Sequence, residues 1–200
     1  ELADSIASDP DLAESFELSK DGLSLKLHAD QLHRTGAAQL GADLGAVSVD
    51  HLEQIDASDV AVLGRAGAPV AVLLPASVVF LGMKAWPPGR ALIDAGARVA
   101  LATDMNPGSS MCDDLPLQTT FACVRLGLSP REALRAITAN AAAALSLDGQ
   151  VGVLAPGAAP DVLVLDATHE EDIPYRFGRV PPYAVVSRGQ VVLGPGRILA

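Results

Sequence analysis

Short apolar runs recur along the first three-quarters of the chain, each closed by polar residues and followed by a segment of helical length. "LSLKLHAD" (23–30) leads into an Ala/Gln/Leu stretch that ends near Gly45. "AVSVDHLE" (46–53) is followed by "ASDVAVLGRAG", where Ser58 predicts the N-cap and Gly67 the stop. "PVAVLLP" (69–75) leads through a loop to "PPGRALIDAG", with Gly96 as C-cap, and "RVALATD" (98–104) is the fourth run. Strands alternating with helices in this way predict βα units and a parallel sheet, an α/β fold.

After a loop over 105–116 the pattern turns helical. The clearest segment is "SPREALRAITANAAAALSL" (129–147), read as a helix with Ser129 as N-cap, Pro130 at the first position and Glu132 in the first turn. Its spacing puts Leu134, Ile137 and Ala141 on one face. The pattern changes again at Asp148-Gly149. "VGVLAPGAAPDVLVLDA" and "YAVVSRGQVVLGPGRIL" alternate short Val/Leu runs with Gly and Pro, which predicts antiparallel strands and hairpins. Residues 175–183, with Pro174 before them and Pro181 and Pro182 within them, read as a loop over that sheet. The chain therefore divides into an acidic, weakly patterned leader (1–22), a βα segment (23–148) and a strand-rich segment (149–200).

Composition narrows the function classes. Half of the 200 residues are hydrophobic, the net charge is -10, and no Lys/Arg cluster supplies a phosphate-binding face, so a nucleic-acid partner is not expected. The uncharged stretch 66–83 contains Pro69 and Pro75 and reads as buried core, not as a membrane span. No basic, apolar signal pattern opens the chain. Cys112 and Cys123 stand beside no second Cys or His and read as reduced thiols, which suits the cytoplasm.

The chemistry sits where the strands stop. Three of the four runs end in groups that bind metals or move protons: His28 (with Asp30 and Gln31), His51 (with Asp50 and Glu53), and Asp104. In parallel α/β folds the carboxyl ends of the strands share one face, so these residues converge although far apart in sequence. Two His and one Asp suit a borderline cation such as Zn2+ or Fe2+. The ordinary alternative makes the histidines hydrogen-bonded core residues and Asp104 a helix cap or turn starter. His33, beside Arg34 at a helix start, and His169, in "THEEDIP", read as surface residues. Glu53 reads either as a supporting partner of the site or as the start of a loop. The backbone N–H groups of 105–110 form either an anion nest or a plain loop.

"KLHADQL", "SVDHLE", "VAVLLP" and "ALATDMNPGSS", in this order and spacing, resemble the imidazolonepropionase family of metal-dependent cyclic amidohydrolases. "TANAAAALSL" followed by "GVLAPGAAPDVLVLD" is similar to the ends of amidohydrolase-superfamily chains generally. The likeness runs from about Leu23 to Gly194. It implies that the four strands are the last four of a (β/α)8 TIM-type barrel, the carboxyl-terminal half, with residues 149–200 part of a small β-sandwich. It implies hydrolysis of the ring amide of 4-imidazolone-5-propanoate to N-formimidoyl-L-glutamate in histidine degradation, with one Zn2+, Fe2+ or Fe3+ ion activating the attacking water. The partners implied are a small-molecule substrate and no nucleic acid or membrane, with a homodimer left open.

The resemblance makes His28 a metal ligand and Asp104 both a ligand and the acceptor of the water's proton. His51 would lie beside the metal, Gln31 would hydrogen-bond the substrate, and Asn106, Gly108 and Ser109 would contact substrate or product. Gln31 stands where some relatives carry Glu, Val49 stands where Ala is expected before "DHLE", and Pro160 replaces an Ala. The family's His-x-His pair and its amino-terminal Arg and Tyr are absent from these residues, so the chain reads as a fragment and is expected to be inactive alone. The remaining alternatives are another cyclic amidase or deaminase of the superfamily, or a non-catalytic remnant.

Overall fold

The computed structural model describes residues 23–194; the expected leader (1–22) and the end of the last apolar run lie outside the described residues. The four apolar runs form strands β1 (Lys26–Ala29), β2 (Ser48–His51), β3 (Val70–Leu73) and β4 (Val99–Leu101). They pair in parallel in the order β1-β2-β3-β4. His28 lies opposite Asp50, and Asp50 opposite Val72. Between the strands run α1 (Ala37–Asp43), α2 (Ala57–Leu63), α3 (Pro75–Phe80) and α4 (Gly89–Asp94). After β4 come α5 (Leu115–Arg125), α6 (Pro130–Ala136) and α7 (Ala139–Ala144).

The two-residue period of a strand sorts the side chains onto two faces. Val49, Ala71, Leu73, Val99 and Leu101 join one buried cluster with Leu63 of α2 and Leu92 of α4. Val70, Val72, Leu74 and Ala100 form a second cluster with Ala143 and Ala144 of α7. On β1 the same alternation buries Leu27 and Ala29 and leaves Lys26 and His28 exposed. Strand β3 is buried on both faces, which is why "VAVL" reads as a continuous apolar run.

Several helix boundaries differ from the expectation. The N-cap of α2 is Asp56, not Ser58: its carboxylate accepts the Ser58 N–H at 2.8 Å, and Asp59 reciprocates to the Asp56 N–H at 3.0 Å. Asp59, fully buried, also takes Arg34 and Gln39, so the cap is anchored from a second element. The helix stops at Gly64, not Gly67. A Cβ on Gly64 would lie 2.4 Å from the Ala95 carbonyl oxygen, so only glycine lets α2 cross the end of α4 this closely. At the end of α4 the C-cap is Ala95; Gly96 follows it with φ 93, the left-handed stop that its residue type favours. Helix α3 was expected as loop. Its buried residues include Pro75 and Val78, yet Val79 and Phe80 face solvent, so no amphipathic stripe marks it.

The expected single helix over 129–147 is two, broken at Thr138 (φ -124, ψ -98). There Asn140 donates to the Val99 carbonyl at 2.7 Å and turns α7 beneath the sheet. The cap of α6 is as expected, with Ser129 and Glu132 satisfying each other's backbone N–H groups. The buried residues of α6 are Ala133 and Ala136, not Leu134, and Ile137 at its end packs against the same core cluster.

Beyond 148, β5 (Val162–Leu165), β6 (Pro182–Ser187) and β7 (Gln190–Leu193) form an antiparallel sheet. Residues 151–154 do not join it. The loop expected over 175–183 is interrupted at both ends, by α8 (Asp172–Tyr175) and by the start of β6. The Thr120 hydroxyl donates to the Pro174 carbonyl at 2.9 Å and ties α8 to α5.

Glu132 couples α6 to α4 as well as capping α6. Hydrogen bonds from Arg90, with the Ser129 N–H, hold its carboxyl down at about 2. A carboxyl depressed in the fold contributes stability that is complete above its unfolded value, near 4.3, and is lost as pH falls through the folded value. Glu132→Gln is therefore expected to melt at a lower temperature than the parent at neutral pH. The gap should close as pH falls towards about 2 in a series of thermal scans.

Candidate active site

The site is built at the carboxyl ends of β1, β2 and β4. Burial of Leu27 and Ala29 against the helices projects His28 from the opposite face of β1. Along β2 the next residue after Asp50 would point to the helix side, but His51 has φ 82 and Leu52 φ 73. This left-handed turn brings the His51 ring to His28, with centroids 5.0 Å apart and planes tilted by 40°. Asp30 (φ 52) and Asp104 (φ 53) are left-handed too, so strained non-glycine backbone gathers at the same edge of the sheet. Each such residue costs on the order of 1–3 kcal/mol, and strain of this kind concentrates at functional sites.

His28 and Asp104 line one cleft of about 280 Å³ between the sheet and α7, together with Asp50, Val72 and Ala102. His51 is buried beside it at 2% exposure. The three predicted strand-end groups therefore lie at one end of the sheet, two of them on a shared cleft. Among the described residues no group of three or more His, Cys, Asp or Glu comes together to hold a metal ion. His28 and Asp104 supply one imidazole and one carboxylate, donor types that zinc and iron accept, where a catalytic zinc typically has three protein ligands.

Asp104 is not a helix cap. The cap of α5 is Asp114, whose carboxylate accepts the Leu117 N–H at 2.9 Å. Asp104 instead leads a loop organised by Asn106. The Asn106 amide oxygen accepts the N–H groups of Gly108 and Ser109, each at 2.8 Å. Its amide nitrogen donates to the Asp104 carbonyl and to Ser109 Oγ, each at 2.7 Å. Ser109 Oγ in turn donates to Asp104 Oδ2 at 3.3 Å. Of the 105–110 N–H groups, read as either an anion nest or a plain loop, those of Gly108 and Ser109 are thus taken by Asn106.

The neighbouring acids divide by role. Asp30 accepts from the Thr35 N–H and hydroxyl and from the Gly36 and Ala38 N–H groups, so it caps the start of α1 and is spent structurally. Asp50 accepts the Ser48 hydroxyl at 2.8 Å and keeps a place on the cleft. Gln31 donates to Ser77 Oγ at 3.3 Å, at the start of α3. Glu53 is buried, with one carboxylate oxygen 3.7 Å from His51 Nδ1. His33 and His169 are exposed, as expected. The two cysteines are free, and burial pushes the Cys123 thiol up.

Sequence reasoning missed Gln118. It is fully buried, accepts the Ala76 N–H at 3.0 Å and donates to the Asp114 carbonyl at 3.1 Å. It thereby locks the far end of the Asp104 loop to the helix that carries Ser77. A single Gln inside a helix carries no signal of this, because Ala76, the partner that makes the link, belongs to another element 42 residues away.

The model of the Amidohydrolase family matches residues 6–192, and the chain belongs to that family. Among curated relatives, it is 53% identical over 175 residues to the imidazolonepropionase of Rubrobacter xylanophilus, covering 88% of this chain and 41% of that protein. It is 42% identical over 178 residues to the imidazolonepropionase of Geobacillus kaustophilus, with the same coverage. The chain thus spans about two-fifths of the length of the curated relatives it matches. Solved structures share the fold. An adenosine deaminase from Xanthomonas campestris with bound zinc matches with a TM-score of 0.75 at 20% identity, over 91% of this chain and 49% of that one. A 5-methylcytosine deaminase from Klebsiella pneumoniae matches with a TM-score of 0.76 at 18% identity, over 98% and 53%. Among the described residues no helix is long and apolar enough to cross a membrane.

Proposed function

We propose that the full-length protein hydrolyses the ring amide of 4-imidazolone-5-propanoate, giving N-formimidoyl-L-glutamate. The observation that carries this is the convergence of His28 and Asp104 on one cleft at the strand ends, in a chain 53% identical to a curated imidazolonepropionase. In this reading β1–β4 are the last four strands of a (β/α)8 barrel. Residues from about 149 belong to a small β-sandwich, and the exposed Leu163, Val164, Val191 and Val192 of its sheet meet the rest of that sandwich.

His28 and Asp104 would hold one zinc or iron ion, with further ligands from outside the described residues. Such an ion, when bound, supplies Lewis acidity that lowers the pKa of water towards neutrality. Asp104 accepts the proton of the attacking water, and the Ser109 hydroxyl on Oδ2 fixes which way its carboxylate faces. His51, packed against His28, orients the water or polarises the ring carbonyl. Gln31 hydrogen-bonds the substrate from a side chain already steadied by Ser77. Asn106, Gly108 and Ser109 form the contact loop for the substrate's propanoate. For Gly108 this means exchanging its N–H bond to Asn106 for one to the substrate.

The deciding experiment is turnover by the purified full-length protein, loaded with metal, on imidazolone propanoate beside hydantoins, adenosine and 5-methylcytosine. Hydrolysis of the imidazolone with little of the others is the expected result. Full metal with no imidazolone turnover would refute the proposal. Residues 1–200 alone are expected to bind metal weakly and to turn over nothing, which metal analysis of that polypeptide checks.

A further inference from the structure

Among the described residues, three buried side-chain atoms have no hydrogen-bond partner: His51 Nδ1 and both carboxylate oxygens of Glu53. They belong to two side chains that face each other, with Nδ1 and Oε1 3.7 Å apart and the side chains 3% and 0% exposed. A buried carboxylate without a partner costs several kcal/mol, and an apolar residue of the same size would be cheaper at that position. The fold nevertheless holds the pair rigidly. The Leu52 N–H donates to the Ala29 carbonyl at 3.0 Å and the Gln54 N–H to the Asp30 carbonyl at 2.9 Å, which clamps the turn 51–54 against the end of β1. Leu52 is fully buried, and both it and His51 are left-handed. The remaining gap is less than 1 Å beyond hydrogen-bond length, and contacts of this kind often close only when a site is assembled around its substrate.

We infer that Glu53 is a positioning residue for His51. It accepts the Nδ1–H of the imidazole, holds the ring against His28, and leaves Nε2 as the unprotonated nitrogen available to the cleft. A neutral imidazole carries its proton on one nitrogen only, and a partner on the other side decides which. Without Glu53 the ring takes either tautomer and either orientation. This rests on the proposed activity only for the size of the rate effect; the tautomer is a property of the protein without substrate.

The test uses the full-length protein as parent, Glu53→Met and Glu53→Gln. Nitrogen NMR of labelled histidine, with His51 assigned by its own substitution, reads the tautomer. The parent is expected to show the Nδ1–H form. In Glu53→Met that form is lost, and kcat falls about 10- to 100-fold, with KM within about threefold and metal content unchanged. Glu53→Met should melt no lower than the parent, because it removes a buried unpartnered carboxylate. Glu53→Gln keeps an acceptor oxygen and recovers most of the lost kcat. An Nε2–H ring in the parent, or a Glu53→Met protein with the parent's tautomer and kcat, would overturn the inference. A protein inert towards imidazolone propanoate would sink the proposed function alone, since the tautomer is still read and still judges Glu53.

Discussion

Asp104→Asn in the full-length protein is expected to lower turnover about 10²- to 10⁴-fold, the range for losing a general base, with the fold intact. Asn keeps the shape of Asp and can still take the Ser109 hydroxyl, so the loop that Asn106 organises has no reason to open. What Asn lacks is the ability to accept a proton at neutral pH, and a carboxamide is also a poorer metal ligand than a carboxylate. A loss of this size cannot arise from a removed helix cap, because the α5 N-terminus is capped by Asp114. Turnover, metal content and melting temperature together decide the matter. A stable variant with near-normal turnover would return Asp104 to the role of an ordinary loop residue. Asn106→Ala should behave differently. It deletes the group that holds Gly108, Ser109 and the Asp104 carbonyl together, so KM should rise while metal is retained.

His28→Ala should remove both metal and turnover, with a rate loss beyond the roughly 100-fold that supporting groups account for. The geometry makes this a clean test. His28 is exposed on the free face of β1, so its removal opens no core cavity and leaves Leu27 and Ala29 in place. His33, five positions on, is a control of the same chemistry. It is exposed and makes no contact with the cleft, and its replacement should change stability by no more than about 0.5 kcal/mol. Metal analysis and turnover of the two variants separate a ligand from a surface histidine. Equal losses in both would mean that His28 is not where the ion binds.

The elements decided by a few adjacent residues were legible before the fold was known. The four strands, their parallel pairing and the Ser129–Glu132 cap follow from local alternation, helix spacing between runs and reciprocal capping chemistry. Helix α3 was not legible, because its outward Val79 and Phe80 erase the amphipathic period. Nor was the break at Thr138, whose cause is the distant Val99 carbonyl that Asn140 reaches. The candidate site divides along the same line. That His28, His51 and Asp104 close three of the four βα units could be read from the order of residues alone. Which acids remain free for chemistry could not. Asp30 and Asp104 both follow strands and both adopt positive φ, yet four donors from the start of α1 consume Asp30 while Asp104 keeps its place on the cleft. Glu53 read either as a supporting partner of the site or as the start of a loop, and only the fold shows it sealed against His51. Local propensity acts over a turn or two, so sequence alone specified the strands, their order and the residue types at their ends. Register, left-handed turns and competition for backbone donors act between elements, so only the tertiary structure decided which of those side chains meet.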